Sequence, residues 1–359
     1  MTRVAIMCQN MIIGGVQRLI ADEAREFARR GVAVWLIVCE TSDPLNTLMG
    51  DAGLPAERVI YIPYRRMRDV RSFVRVVRTL WYVRPDILFT HHWFANTIGR
   101  LAAVCAGVRV VAFEHSVYDA VKSRRQFFFD RVLQWVSVRV VAVSSSVAES
   151  LYRHGIRRSR VVIIQNGIDL RPYRRGSARE PQEKFTFIFV GRLIGDKGVD
   201  IFLDALSEVS GVQARIVGTG PEEFALRERS RRLGVGERVH FLGARTDVSD
   251  LFATADALVL PSRREGFGLV IIEARAAGLP VILSDFPAAS EIIENGVQGL
   301  IVPRGDAHAL AGALAKLSQD RRLYRRLAAS APLGLDRFSI ERHVGELMAF
   351  AQGPAVRYS

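Results

Sequence analysis

Short runs of aliphatic and β-branched residues recur along this chain from Arg3 onward. They are separated by longer stretches whose apolar positions return every three or four residues. RVAIMC, VAVWLIVC, RVIYIP, DILFTH, RVVAFE, RVVAVS and VVIIQN read as strands, and FTFIFVG, ARIVG, VHFLG, ALVLP, PVILS and LIVP resume the series after a break. These runs are apolar at nearly every position instead of every second one, as expected of strands covered on both faces. The stretches between them have room for a crossover helix, which implies parallel pairing. The break itself, LRPYRRGSAREPQEK, is rich in Arg and carries Pro and Gly, and reads as a linker. The pattern predicts an α/β chain of two Rossmann-like, doubly wound parallel-sheet domains facing a central cleft: residues 1–172, a linker at 173–183, and residues 184–337. Residues 338–359, around SIERHVGELMAFAQ, form a last helix that could cross back to the first domain. Ligands in such folds sit at the carboxyl ends of the strands, so the loops there should carry the chemistry.

Composition agrees with this size and class. A chain of 359 residues with 49% hydrophobic and 24% charged residues suits two soluble domains. No apolar run reaches the eighteen residues a membrane span requires, and MTRVAIMCQN leads into a strand without a signal-peptide pattern. Cys8, Cys39 and Cys105 are far apart in apolar surroundings and read as buried thiols of a reducing cytoplasm. The charge changes the picture more. Residues 1–175 hold 27 Lys and Arg against 14 Asp and Glu, whereas residues 176–359 hold 23 of each. The whole excess of +13 therefore lies in the first half, which should meet something anionic.

The second half carries the sharper chemical signal. After ALVLP the chain reads SRREGFGLVIIEARAAG, with Glu265 before a Gly-Phe-Gly turn and Glu273 inside an otherwise apolar helical run. Gly266 and Gly268 let the backbone approach a ligand, and a helix N-terminus here would seat a phosphate. A carboxylate at Glu273 is costly to bury without hydrogen bonds. Either a structural arginine or the paired hydroxyls of a sugar would satisfy it. FTFIFVG runs on into GRLIGDKG, which places Arg192 and Lys197 in the loop that opens the next helix, two cations suited to a diphosphate. ARIVG continues as VGTGPE, where Gly218 and Gly220 clear further space.

With these residues in view, the chain resembles the retaining glycosyltransferases of family 4, which have the GT-B fold. The resemblance covers nearly the whole length. It rests most specifically on the E-x7-E pattern in EGFGLVIIE, with GRLIGDKG, VGTGPE, NGID and GGVQR around it. It implies that Arg192 and Lys197 hold the donor diphosphate and stabilise the leaving charge, with Gly191, Gly218 and Gly220 beside them. It also implies that Glu273 binds the ribose, that Glu265 binds the transferred sugar, and that backbone N–H groups from Gly266 through Phe267 and Gly268 to Leu269 reach the sugar and distal phosphate. Family members need no divalent metal or other cofactor. No Asp-x-Asp motif of metal-dependent transferases occurs here. The family mechanism is a same-face substitution in which a donor phosphate oxygen takes the acceptor's proton, so no enzyme nucleophile is expected.

In the first half, Gly14 and Gly15 open a helix, and in the family this loop approaches the donor phosphates and the acceptor. Gln17 stands where many relatives carry Glu, and Arg18 keeps the family's cation. The segment lacks G-x-G-x-x-G, which disfavours nicotinamide binding. His115 matches the family's histidine beside the transferred sugar, and His91 and His92 end a neighbouring strand. Arg68, Arg71, Arg75 and Arg78 recur at helical spacing, with Met67, Val70, Val74, Val77 and Trp81 on a separate face. A second basic patch sets Lys122, Arg124, Arg125 and Arg131 beside Phe127, Phe128 and Phe129. Such patches suit an anionic membrane surface. The expectation is a cytoplasmic, membrane-peripheral transferase that moves a sugar from a nucleotide sugar, a uridine diphosphate sugar first, to a lipid-linked saccharide or lipid in envelope polysaccharide or lipopolysaccharide assembly. A sugar-nucleotide epimerase of the same architecture is the alternative enzyme. Nucleic acid is not expected as a partner, because the aromatics cluster near Phe127 instead of lining a basic groove.

Overall fold

A computed structural model gives the fold and describes residues 2–39, 47–64, 67–117, 122–174 and 180–352. The chain divides into two compact units, Met1–Asp169 with Phe338–Ser359, and Leu170–Arg337. Residues 175–179 of the expected linker lie outside the described residues.

The first unit is built on seven strands: β1 (Arg3–Cys8), β2 (Ala33–Val38), β3 (Val59–Tyr61), β4 (Ile87–His91), β5 (Arg109–Glu114), β6 (Arg139–Ala142) and β7 (Val161–Ile163). They form one parallel sheet in the order β3-β2-β1-β4-β5-β6-β7. The order reverses between β1 and β4, where Val4 lies between Val34 and Ile87. β1 and β4 are buried along almost their whole length, as their uninterrupted apolar runs require. Crossovers are α1 (Gly15–Arg29), α2 (Val70–Val83), α3 (Trp93–Ala106), α4 (Arg124–Leu133) and α5 (Ser145–Arg153). Side chains fix several helix starts: Asp69 caps α2 by accepting from the N–H of Ser72, and Ser123 with Gln126 makes a capping box on α4.

The last helix, α13 (Ile340–Gln352), belongs to this first unit. Its entry is pinned by a strand-like exchange: Ile168 N–H donates to Phe338 C=O at 3.0 Å, and Ile340 N–H donates to Ile168 C=O at 2.9 Å. Arg30, at the end of α1, donates to the Glu341 carbonyl.

The second unit has β8 (Phe185–Val190), β9 (Val212–Val217), β10 (Val239–Gly243), β11 (Ala257–Leu260), β12 (Val281–Ser284) and β13 (Gly299–Val302) in the parallel order β10-β9-β8-β11-β12-β13. Its helices include α6 (Val199–Ser207), α7 (Glu223–Arg232), α8 (Val248–Ala253), α9 (Leu269–Ala276), α10 (Ala289–Ile292), α11 (Ala307–Gln319) and α12 (Arg321–Ser330). Among the described residues, thirteen strands thus fall on the thirteen apolar runs of the sequence, in two Rossmann-like sheets.

Two sequence expectations need correction. Cys8 and Cys39 are buried, but Cys105 is exposed, since the last turn of α3 turns Leu101, Val104 and Cys105 outward together. In α2, the buried stripe is Ser72, Val76, Val77, Leu80 and Val83. Of the residues expected to share one face, Val77 thus joins the core, while Val70, Val74 and Trp81 stand on the surface, 71%, 46% and 55% exposed. No helix among the described residues is long and apolar enough to cross a membrane.

Candidate active site

In the second unit, three strand-end loops interlock. The loop after β8 pairs with the loop after β9: Gly191 N–H donates to Val217 C=O and Leu193 N–H donates to Thr219 C=O, both at 2.9 Å. Gly218, at φ +129°, is required here, because a Cβ would lie 1.9 Å from the carbonyl oxygen of Gly191. A Cβ on Gly220 would likewise lie 2.3 Å from the carbonyl oxygen of Leu193. The space these glycines clear is thus taken by neighbouring backbone.

The loop after β8 also meets the loop after β11 through charge. Arg263 donates to both carboxylate oxygens of Asp200 at 2.7 Å and to the carbonyl of Gly195 at 2.8 Å. Burial alone would push the Asp200 carboxyl up, but the Arg263 fork outweighs it and holds it below the usual range. Arg264 reaches Asp196 Oδ1 at 2.5 Å. Within this frame Lys197 Nζ donates to Glu265 Oε2 at 2.5 Å, with both side chains partly exposed. The two loops therefore bring together two of the expected catalytic residues. Arg192 is exposed, and its guanidinium makes no hydrogen bond or ion pair among the described residues.

Gly268 caps α9 at φ +89°, a left-handed conformation, and a Cβ there would press on Ile271 and on the Glu265 side chain. Phe267 and Leu269 are buried and anchor the turn, while Gly266 and Gly268 remain half-buried. Glu273 is also half-buried, one turn into α9. The neighbouring Arg275 points the other way and is fully buried, donating to the carbonyls of Ala331 (2.9 Å), Ile292 (2.6 Å) and Leu333 (2.5 Å). Burial and the nearby Arg337 lower its pKa to about 10.

In the first unit, Gly14 precedes α1 in extended backbone, and a Cβ there would strike Gln17, whose amide donates to Asn10 at 3.0 Å. Gly15, the first residue of α1, is exposed. Arg18 stands 3.8 Å from Asp51. His115, just beyond β5, is half-buried, with its Nε2 at 3.0 Å from His91 Nδ1. Burial first, then the neighbouring histidines, keep it well below an ordinary histidine's basicity, so it stays neutral.

Comparison with known proteins fits both units. Residues 172–333 match the model of glycosyl transferases group 1, and residues 13–171 match that of glycosyltransferase family 4. A D-inositol 3-phosphate glycosyltransferase of Rhodococcus erythropolis is 30% identical over 96% of this chain and 88% of its own. This chain belongs to glycosyltransferase family 4. An Escherichia coli UDP-Gal:α-D-GlcNAc-diphosphoundecaprenol α-1,3-galactosyltransferase is 25% identical over 86% of both chains. The crystal structure of Anabaena HepE in complex with UDP and glucose superposes with a TM-score of 0.87 at 23% identity, covering 98% of this chain and all of that one. The fold of this transferase is accordingly GT-B.

Several assignments on this glycosyltransferase change with the structure in hand. Lys122 is not a surface charge: its ammonium donates to both oxygens of Glu114 (2.9 and 3.0 Å) and to Asp130 (2.8 Å), with its side chain 6% exposed. Arg100 donates to the other oxygen of Asp130, so two cations and two carboxylates neutralise each other inside the unit. Phe127 is half-buried against the His154 ring at 3.9 Å, whereas Phe128 and Phe129 are exposed. Arg68, Arg71, Arg75, Arg78, Arg124 and Arg125 are exposed as expected. Sequence reading missed the clamp of Arg263 and Arg264 on Asp200 and Asp196. Its signal was the opposite charges of SRRE and GDKGVD at successive strand ends.

Proposed function

We propose that this glycosyltransferase is a retaining, metal-independent enzyme that moves a sugar from a uridine diphosphate sugar to a lipid-linked saccharide or lipid acceptor. The pathway class is envelope polysaccharide or lipopolysaccharide assembly at the cytoplasmic face of a membrane. The observation that carries the reading is the meeting of Lys197 with Glu265 across two clamped loops, with the Arg192 guanidinium left open. Two cations at one strand end offer the charge that a departing diphosphate develops, which is the work a metal would otherwise do. In a same-face substitution the acceptor hydroxyl bonds to the anomeric carbon as the bond to the diphosphate breaks. Its proton passes to a phosphate oxygen of the leaving group, so the chain must supply charge and orientation but no nucleophile. Release of Lys197 to the diphosphate frees Glu265 to accept from sugar hydroxyls. Glu273 on α9 would take the ribose. The HepE complex with UDP and glucose, and the E. coli relative named for UDP-Gal, support the choice of base.

Adding UDP to the intact chain at 100 times its dissociation constant should stabilise the native state by about 2.7 kcal/mol. GDP at equal concentration should do less. Differential scanning calorimetry reads both. No upward shift with either nucleotide would remove the donor site.

The membrane reading is supported by α2, which presents Arg71, Arg75 and Arg78 beside exposed Val70, Val74 and Trp81. Each arginine near an anionic surface contributes about 1 kcal/mol. Replacing all three by Ala should therefore weaken binding to vesicles containing phosphatidylglycerol roughly 100-fold, with transfer to a water-soluble acceptor analogue kept. Unaltered co-sedimentation with those vesicles would reject the membrane-facing role of α2.

A further inference from the structure

Behind His115 lies a chain of buried polar groups drawn from α1, β4 and α13. His343, in the first turn of α13, places Nδ1 2.9 Å from the carbonyl oxygen of Gln165 and Nε2 2.8 Å from Glu23 Oε1. A carbonyl can only accept, so His343 Nδ1 carries a proton. Glu23, in α1, is completely buried. Burial alone would push its carboxyl up, but the His343 imidazole, a stronger base at hydrogen-bond distance, draws the proton off it. Glu23 is thus a carboxylate, which also only accepts, and His343 Nε2 must carry a second proton. The pair is one buried cation against one buried anion.

The other oxygen of Glu23 lies 3.3 Å from His91 Nε2, an ion-pair distance without hydrogen-bond alignment. A bare ring nitrogen there would set its lone pair against the carboxylate, so the proton of His91 belongs on Nε2. Doubly protonating His91 as well would leave one buried positive charge without a counter-ion. His91 is therefore neutral, and its Nδ1 accepts. The group opposite that nitrogen, at 3.0 Å, is Nε2 of His115, which must then be the donor. His115 Nδ1 is left as a lone pair, and it is a buried atom with no hydrogen-bond partner among the described residues.

We propose that Glu23 and His343 are positioning residues for His115. Acting through His91, they fix it as the Nε2–H tautomer, so that its Nδ1 accepts from a donor such as a sugar hydroxyl and turns away phosphate or carboxylate oxygens. The tautomer follows from the geometry of the first unit alone, while its meeting with a sugar rests on the transferase reading above.

The test is nitrogen NMR of the full chain labelled with 15N-histidine, with His115 identified by its loss in His115→Gln. Wild type should show His115 protonated at Nε2 and bare at Nδ1. In Glu23→Gln the amide can donate to His91 Nε2, which turns the chain round and moves the His115 proton to Nδ1. In His343→Gln the compensating charge is lost, His91 takes a second proton, and His115 shifts the same way. Both variants should lower kcat/KM for the nucleotide sugar about tenfold, the worth of one such hydrogen bond. A wild-type His115 protonated at Nδ1, or a tautomer unmoved in folded Glu23→Gln, overturns the relay. A tautomer that moves without any change in kcat/KM overturns the contact of His115 with the sugar and leaves the relay standing.

Discussion

Lys197→Ala is expected to lower turnover by two to three orders of magnitude while the second unit stays folded. The folding cost is small because the Lys197–Glu265 pair is partly exposed, and such pairs contribute at most about 1 kcal/mol. Its neighbours hold the loops without it: Arg263 on Asp200 and Arg264 on Asp196 remain. The chemical cost is larger, since removing one group aimed at developing charge typically costs about 3–4 kcal/mol in the transition state. Lys197→Arg should recover part of the loss, because charge is retained while the geometry changes. Steady-state transfer assays, with the melting temperature as a fold control, read the outcome. A loss below tenfold in folded Lys197→Ala would remove this residue from the diphosphate.

Arg275→Leu should act on stability instead, costing about 3–5 kcal/mol. Its guanidinium holds three carbonyls, that of Ile292 and those of Ala331 and Leu333 in the turn after Ser330, so it ties two separate segments together with its side chain fully buried. The leucine would leave those acceptors buried and unpaired. Arg275→Lys should rescue little, because one ammonium cannot reproduce the planar fork. Urea unfolding should show the transition of the second unit moving down by about 2 M, taking a slope near 2 kcal/mol per M, with that of the first unit unmoved. A shift below about 0.5 M would mean that neighbouring groups find other donors.

Strands were easy to read because both faces of each sheet are covered, so every run is apolar and its ends are marked by Gly, Pro or charge. The donor loops were legible for a related reason: a ligand demands particular residue types at strand ends. What stayed hidden was the pairing of charges across sequence distance. Lys122 looks like a surface cation among arginines. Only the fold brings Glu114 and Asp130, eight residues to either side, around its ammonium. Glu23 sits in ADEAREFARR, where a polar helix face would ordinarily be solvated. It is buried because residues more than three hundred positions away close over it, with His343 at 2.8 Å. The outward turn of Val70, Val74 and Trp81 was equally unreadable, because periodicity identifies an apolar stripe but not what it faces.

The return of α13 has a consequence for how the protein is made. During synthesis, residues 1–169 leave the ribosome long before His343 does, with the second unit emerging in between. Until then Glu23 has no imidazolium from α13, and the nascent first unit must wait with that carboxylate solvated or protonated. Its completion is thus deferred until translation has passed the second unit, which makes a fragment ending at Asp169 a poor stand-in for the finished unit.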